Sequence, residues 1–132
     1  MDAQEIRVML VEDNPEDIAF TKRILKRNRL DRHLVVAADG KEAFKALDHL
    51  GDDESLLPDL ILLDINLPDM SGIDLLTRLK RDSRLSRIPV VMLTGSNVDG
   101  DIQRSYDMGA STYLVKPISN DLLMLIIENI FR

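Results

Sequence analysis

Short apolar segments alternate with longer amphipathic segments along the whole chain. Five of the short segments are rich in Val, Ile and Leu with little polar interruption, as expected for strands covered on both faces. The predicted strands are Ile6–Val11, Leu34–Ala37, Asp59–Leu63, Pro89–Leu93 and Thr112–Val115. The segments between and after them have helical periodicity, which predicts helices over Pro15–Asn28, Lys41–Leu50, Gly72–Arg81, Asp99–Met108 and Ser119–Phe131.

Turn and cap signals support these boundaries. Asn14 and Pro15 are typical of a helix N-cap and the first helical position, and two acidic residues follow in the first turn. Gly51 is a candidate C-cap for the second helix, and Asp52–Leu57 reads as a connecting loop.

Repeated strand–helix units favour a parallel sheet with right-handed crossovers and helices on both faces. We therefore predict an α/β protein with the flavodoxin-like, doubly wound (βα)5 fold and strand order 2-1-3-4-5. In this order the first and third strands are neighbours at the topological switch point, and ligands bind beyond the carboxyl ends of the strands. Candidate functional residues are those that follow each strand.

Composition and charge narrow the class of protein. A chain of 132 residues is expected to form one domain over 1–132, with no attached output domain. The absence of cysteine excludes disulfides, thiolate metal sites and a cysteine nucleophile. A net charge of −6 argues against direct binding to DNA or to an anionic membrane. The chain has no apolar run near the roughly 20 residues of a bilayer span and no signal peptide, so we expect a cytoplasmic protein.

Two basic segments, Lys22–Arg32 and Arg78–Arg87, fall at the predicted C-terminal ends of helices. Cations there complement the helix dipole, and we interpret both segments as solvated helix ends. A surface for an anionic partner is the alternative.

Acidic residues follow two strands that the predicted order places side by side. Glu12 and Asp13 follow the first strand, and Asp64 follows the third. Three carboxylates in one place repel each other, and a divalent cation such as Mg²⁺ would offset that repulsion. The alternative, that each acid only caps a helix or a turn, is reasonable for one acid and weak for the set.

The fourth and fifth strands end in residues suited to binding an anion. Thr94-Gly95-Ser96 offers hydroxyls beside a small residue, although this is also a common loop composition. Lys116 ends an apolar strand, from which its ammonium group could lie against the three carboxylates, whereas an isolated lysine is usually a surface charge. The Lys116–Pro117 bond is a candidate cis peptide that would direct the lysine inward.

The ordered set of acid pair, single acid, hydroxyl and lysine resembles the receiver domain of two-component response regulators, the family that includes the chemotaxis response regulator. The resemblance covers essentially the whole chain, with the matching motifs in Val8–Asn14, Leu60–Gly72, Pro89–Thr94 and Gly109–Pro117. The acid pair, the stretch Asp101–Tyr106 and the expected lack of an output domain are similar to the single-domain regulators that act with phytochrome-type histidine kinases.

The resemblance implies a phosphorylation-dependent switch that is not a turnover enzyme. Asp64 would accept a phosphoryl group from a sensor histidine kinase, and slow autodephosphorylation would reset it. Mg²⁺ would be the cofactor, and an unidentified downstream protein would read the signal, unless the phosphoryl group is relayed to a histidine phosphotransfer protein. The implied metal ligands are Glu12, Asp13, Asp64 and the backbone carbonyl of Asn66; the phosphoryl contacts are Thr94 and Lys116; and the switch residues are Thr94 and Tyr113. Asn66 and Ser96, two positions after Asp64 and Thr94, are candidates for setting the dephosphorylation rate.

The last helix has more apolar surface than one sheet contact needs. On a helical projection, Asp121, Glu128 and Arg132 share one narrow sector and apolar residues occupy most of the rest. We hypothesise that part of this helix forms a protein interface, most simply a two-fold homodimer. The alternative is complete burial within the molecule.

Three other function classes share parts of this pattern. A small Mg²⁺-dependent phosphatase with an aspartyl nucleophile would need a titratable acid where the chain has Asn66. A flavodoxin-like electron carrier would need a phosphate-binding first loop, whereas this loop is acidic. A receiver-like binding module that is not phosphorylated would not need the complete acidic set.

Overall fold

Five parallel strands form one sheet in the computed structural model, which describes residues 5–50, 53–95 and 99–132. The strands are β1 Val8–Val11, β2 Val35–Ala37, β3 Leu60–Asp64, β4 Val90–Thr94 and β5 Thr112–Val115. The helices are α1 Pro15–Arg27, α2 Gly40–Leu50, α3 Gly72–Arg81, α4 Asp99–Asp107 and α5 Asn120–Ile130, and Glu54–Leu56 forms a short 3-10 helix.

The strand order is β2-β1-β3-β4-β5, which confirms the predicted doubly wound topology. Val11 of β1 pairs with Leu63 of β3, so the residues that follow these two positions emerge side by side. The fold therefore brings the ends of β1 and β3 together, as predicted.

Some element boundaries differ from the predicted ones. β3 and β4 each lie one residue later in the chain, so Asp64 and Thr94 are the last residues of their strands rather than the first residues beyond them. The loop predicted at Asp52–Leu57 contains the 3-10 helix, which Asp53 caps through a bond from the Ser55 N–H. The candidate C-cap Gly51 lies outside the described residues.

Two apolar cores lie on opposite faces of the sheet because alternate strand residues point to opposite sides. Met9, Ile61 and Leu63 pack against α2 and α3 on one face. Leu10 and Leu62 pack against α1 and α5 on the other face. These cores hold the strand ends in a fixed arrangement.

The first helix begins where the cap signals indicated. The Asn14 side chain accepts hydrogen bonds from the N–H groups of Glu16 at 2.9 Å and Asp17 at 3.1 Å, and Pro15 is the first helical residue. This cap holds the first turn of α1 directly beside the end of β1.

A basic cleft of about 700 Å³ lies between α1 and the edge strand β2, and its cations are Lys22, Arg23 and Lys26. Its three cations belong to the basic segment Lys22–Arg32. Among the described helices, none has the length and apolar character needed to cross a bilayer.

Candidate functional site

The acid pair after β1 divides into a buried and an exposed carboxylate. The Glu12 N–H donates to the Ala37 carbonyl at 3.0 Å, so the sheet continues one residue beyond β1 and the Glu12 side chain is only 1% exposed. Asp13 is exposed. One acid therefore forms the floor of the site and the other lies at its rim.

Asp64 lies next to this pair at the end of β3. Its side chain is 5% exposed, and its Oδ1 accepts a hydrogen bond from the Asn66 N–H at 3.1 Å. Oxygen atoms of Glu12, Asp13 and Asp64 all lie within 4.8 Å of one another. The structure thus brings together the three carboxylates that the sequence singled out.

Lys116 provides the positive charge in this cluster. Its Nζ lies 2.6 Å from Glu12 Oε2, 3.1 Å from Asp64 Oδ2 and 3.0 Å from Asp17 Oδ2. The peptide bond between Lys116 and Pro117, the cis candidate of the sequence, is cis.

The ammonium reaches two of the three carboxylates that we expected, but its third partner is Asp17 rather than Asp13. Asp17 occupies the first turn of α1, which the Asn14 cap turns toward the strand ends. From the sequence, Asp17 was recognisable only as an acid in the first turn of a helix, so its contact with Lys116 was not predicted.

Burial and charge act in opposite directions on these groups. Desolvation raises the pKa of the Glu12 carboxyl, because the bond from Lys116 that favours its charged form does not outweigh burial and the neighbouring Asp64. Desolvation alone would lower the pKa of the Lys116 ammonium, yet its bonds to Glu12, Asp17 and Asp64 raise it overall. The lysine is therefore held charged at neutral pH, in a site with more negative charge than one ammonium neutralises.

The predicted hydroxyl and aromatic residues lie on the adjacent strands. Thr94 is 3% exposed, and its carbonyl accepts from the Lys116 N–H at 2.7 Å, which ties the ends of β4 and β5 together. Tyr113 is half-buried and packs edge-to-face against Tyr106 with ring centroids 6.0 Å apart. Ser96 lies outside the described residues.

The loop after β3 forms the other wall of the site. Asn66 and Ser71 form an isolated antiparallel bridge, so residues 66–71 fold into a closed hairpin. A cleft of about 320 Å³ separates this hairpin from Asp13. The exposed acid and the start of the hairpin line the same opening.

This donor set suits a hard divalent cation. Mg²⁺ prefers oxygen ligands and is usually held in proteins by one or two carboxylates together with water. Asp13 and Asp64 offer carboxylate oxygens, Asn66 lies in the same wall of the cleft, and the described residues hold no competing histidine or cysteine in the cluster. The residues present fit the predicted metal.

Comparison with known proteins places this arrangement in a family. The profile of the response regulator receiver domain matches residues 8–128. The chain belongs to the receiver domains of two-component response regulators.

Individual members of the family resemble this receiver domain over nearly its full length. Response regulator Rcp1 of Synechocystis sp. is 39% identical over 110 residues, which cover 83% of this chain and 75% of Rcp1. The crystal structure of Mn²⁺-bound Rcp1 has a TM-score of 0.76 at 36% identity and covers 92% of this chain and 88% of that one. The phosphorylated cyanobacterial phytochrome response regulator RcpA has a TM-score of 0.77 at 37% identity, with 95% and 90% covered.

Proposed function

We propose that this receiver domain acts as a phosphorylation-dependent switch in which Asp64 is the phosphoacceptor. The observation that carries the proposal is the cluster of three carboxylates within 4.8 Å, beside an ammonium bonded to two of them. Membership of the receiver family and the phosphorylated state of the relative RcpA support it.

The proposed transfer needs few groups. An Asp64 carboxylate oxygen forms a bond to phosphorus while the bond from phosphorus to the donor imidazole nitrogen breaks, and the electron pair returns to the imidazole. Lys116, 3.1 Å from Asp64 Oδ2, is placed to neutralise charge on the phosphoryl oxygens. Hydrolysis of the acyl phosphate by water then restores the Asp64 carboxylate and releases inorganic phosphate.

Asp13, Asp64 and the backbone carbonyl of Asn66 are our proposed direct ligands of Mg²⁺, and the Mn²⁺-bound state of Rcp1 supports a divalent metal. The Glu12 side chain is 1% exposed, at the floor of the site, and its Oε2 accepts from Lys116 at 2.6 Å. We therefore assign Glu12 a supporting part, in which it adds negative charge and orients Lys116. When bound, the metal would offset negative charge on the transferring phosphoryl group.

Intact mass spectrometry after incubation with acetyl phosphate and Mg²⁺ tests this proposal. The wild type should gain one phosphoryl group that hydroxylamine removes, and Asp64→Asn should gain none. Asp59→Asn is the matched control, because Asp59 precedes the same strand at its opposite end, where its carboxylate accepts from the Arg7 N–H. Phosphorylation of Asp64→Asn to the wild-type level would contradict the assignment.

The proposed switch connects Asp64 to the surface formed by α4, β5 and α5. A phosphoryl group adds roughly 1.5 to 2 negative charges and three acceptor oxygens. The Thr94 hydroxyl would move toward it, and Tyr113 would turn into the space that Thr94 leaves. Asn66 and Ser96 remain our candidates for controlling the entry of water and hence the lifetime of the phosphorylated state.

We propose a phosphoacceptor rather than a phosphatase, since Asn66 occupies the position where a phosphatase would need an acid to protonate a leaving group. The chain should therefore not turn over p-nitrophenyl phosphate in the presence of Mg²⁺. Multiple turnovers that depend on Asp64 would favour the phosphatase instead.

The proposed phosphodonor is a histidine kinase of the phytochrome type, a choice supported by the naming of RcpA as a phytochrome response regulator. Phosphotransfer from a panel of purified histidine kinases would test it. Transfer should be fastest from a phytochrome-type kinase, and a uniform rate across the panel would contradict the choice.

We also propose that α5 mediates homodimerisation. Most of its apolar residues pack inside the molecule, but Leu122 and Leu125 are 47% and 53% exposed. Asp121 lies in the first turn of α5 and Arg132 lies two residues beyond its last residue, so antiparallel two-fold pairing would bring these opposite charges toward each other.

Sedimentation velocity with and without an acyl-phosphate mimic tests the dimer. The double change Leu122→Glu and Leu125→Glu should give a monomer, whereas Leu56→Glu, at a residue that is 38% exposed elsewhere, should not change association. A monomeric wild type under both conditions would contradict the proposal.

A further inference from the structure

The hairpin that leaves the phosphoacceptor strand is attached at both its ends. At its base, the Asn66 N–H donates to Asp64 Oδ1 at 3.1 Å, and the Gly72 N–H donates to the Ile65 carbonyl at 2.7 Å. At its tip, Asp69 and Met70 reach the start of α2. The hairpin therefore connects the site to a helix that contributes no residue to it.

The contact with α2 completes the cap of that helix. The first N–H groups of a helix have no partner within it. Asp39 supplies one acceptor, because its Oδ1 accepts from the Glu42 N–H at 2.7 Å. Asp69 supplies acceptors for the two preceding N–H groups. Its Oδ1 accepts from the Gly40 N–H at 2.9 Å, and its Oδ2 accepts from the Lys41 N–H at 3.0 Å.

Two further observations indicate that this contact is specific. The bond from the Gly40 N–H holds the pKa of the Asp69 carboxyl below its usual value against the opposing effect of desolvation, and the bond from the Lys41 N–H lowers it further. Met70 also packs closely on Gly40, since an added Cβ there would lie 2.5 Å from Met70 Sδ and would force that side chain to move. The tip of the hairpin is thus held by two hydrogen bonds and by close packing.

The position of Asn66 depends on this attachment. Asn66 begins the hairpin, and its N–H donates to the Asp64 carboxylate. Asn66 and Asp13 line the same cleft. If the tip separated from α2, this wall would keep the Asn66–Ser71 bridge, the bonds at the base and the packing of Leu67 against the core, but would lose its attachment to the helix.

We infer that Asp69 is a positioning residue, which fixes the Asn66 main chain for divalent-cation binding by tying the hairpin to the N-terminus of α2. The inference rests on the proposed function, because it concerns the metal ligands of that site. Asp69 itself contacts neither the metal nor the phosphoryl group; it acts through the hairpin.

Isothermal titration with Mg²⁺ alone tests the inference on four proteins: wild type, Asp69→Ala, Asp69→Asn and Asp39→Ala. Loss of partners that orient metal ligands typically weakens metal binding by 10- to 100-fold, and we expect the lower end, about tenfold, for Asp69→Ala. Asp69→Asn keeps one acceptor oxygen and should weaken binding less.

Asp39→Ala is the matched control. It removes a carboxylate cap from the same helix N-terminus but leaves the hairpin contact in place, so it should lower the stability of the protein without changing Mg²⁺ affinity. Thermal unfolding of all four proteins in EDTA separates stability from affinity, and Asp69→Asn provides the comparison if Asp69→Ala does not fold.

Unchanged Mg²⁺ affinity in both Asp69 variants would overturn the inference. An equal loss of affinity in Asp39→Ala would also overturn it, because the effect would then come from helix stability alone. If the wild type itself bound no Mg²⁺, the proposed metal site would fail, a result distinct from both.

Discussion

Replacing Lys116 by methionine should destabilise the metal-free protein strongly. The side chain of Lys116 is 17% exposed, and the side chains of its partners Glu12 and Asp64 are 1% and 5% exposed. Removal of one member of a buried ion pair costs about 3 to 5 kcal/mol because the other charge stays buried. We expect about 3 kcal/mol, since the open cleft beside Asp13 admits water, and Asp17, at 40% exposure, adds under about 1 kcal/mol.

The effect should depend on Mg²⁺. Without the ammonium, the carboxylates of the site carry more uncompensated charge, so a divalent cation should bind Lys116→Met more tightly than the wild type. Ligand that binds the folded state raises the free energy of unfolding by an amount that grows with affinity. Urea unfolding followed by circular dichroism, in EDTA and in excess Mg²⁺, tests this. Mg²⁺ should raise the free energy of unfolding more for Lys116→Met than for the wild type.

Lys80→Met is the matched control for this experiment. Lys80 is also partly buried, and burial lowers the pKa of its ammonium, but it donates to the neutral carbonyls of Ser86 at 3.1 Å and Ile88 at 3.0 Å. Its loss should cost about 1 to 2 kcal/mol, independently of Mg²⁺. Equal stability of Lys116→Met and wild type in EDTA, or a Mg²⁺ gain no larger than in the wild type, would refute the electrostatic argument.

Three further changes probe the switch, the packing and the hairpin. Thr94→Ala should still allow phosphorylation but abolish the change in partner binding, and retained coupling in a pull-down with the output partner would contradict its role. Gly72→Ala would place a Cβ against the Asp64 carbonyl oxygen and should cost about 1 to 3 kcal/mol in urea unfolding, whereas Gly95→Ala, with no atom within 4 Å of the added Cβ, should cost almost nothing. Because the folded-state pKa of Asp69 is lowered, its contribution to stability is present above the ordinary carboxyl pKa and is lost as pH falls through the folded value. The stability difference between wild type and Asp69→Asn should therefore shrink in acid, and a constant difference across acid unfolding would contradict the capping bonds.

Hydrophobic patterning was sufficient to predict the sheet and its order. Strands buried on both faces carry continuous apolar segments, and consecutive strand–helix units allow few topologies. The meeting of Glu12, Asp13 and Asp64 followed from that order, since parallel strands end at the same edge. Boundaries were less certain, as the one-residue displacements of β3 and β4 show.

The contacts that sequence reasoning missed depend on tertiary placement. Asp17 carries the ordinary signature of an acid in a first helical turn, and only the position of α1 over the strand ends brings it to Lys116. Asp69 looks like a loop aspartate, and its partners lie nearly thirty positions earlier in the chain. Neither contact has a local pattern, because both depend on where two separate elements come together.

The most direct test of the metal site is anomalous diffraction from crystals of the wild-type chain grown with Mn²⁺. Our account predicts a single strong peak between Asp13 and Asp64, within coordination distance of both carboxylates and of the Asn66 carbonyl. A fully occupied Mn²⁺ bound elsewhere, with no peak between these two aspartates, would contradict it.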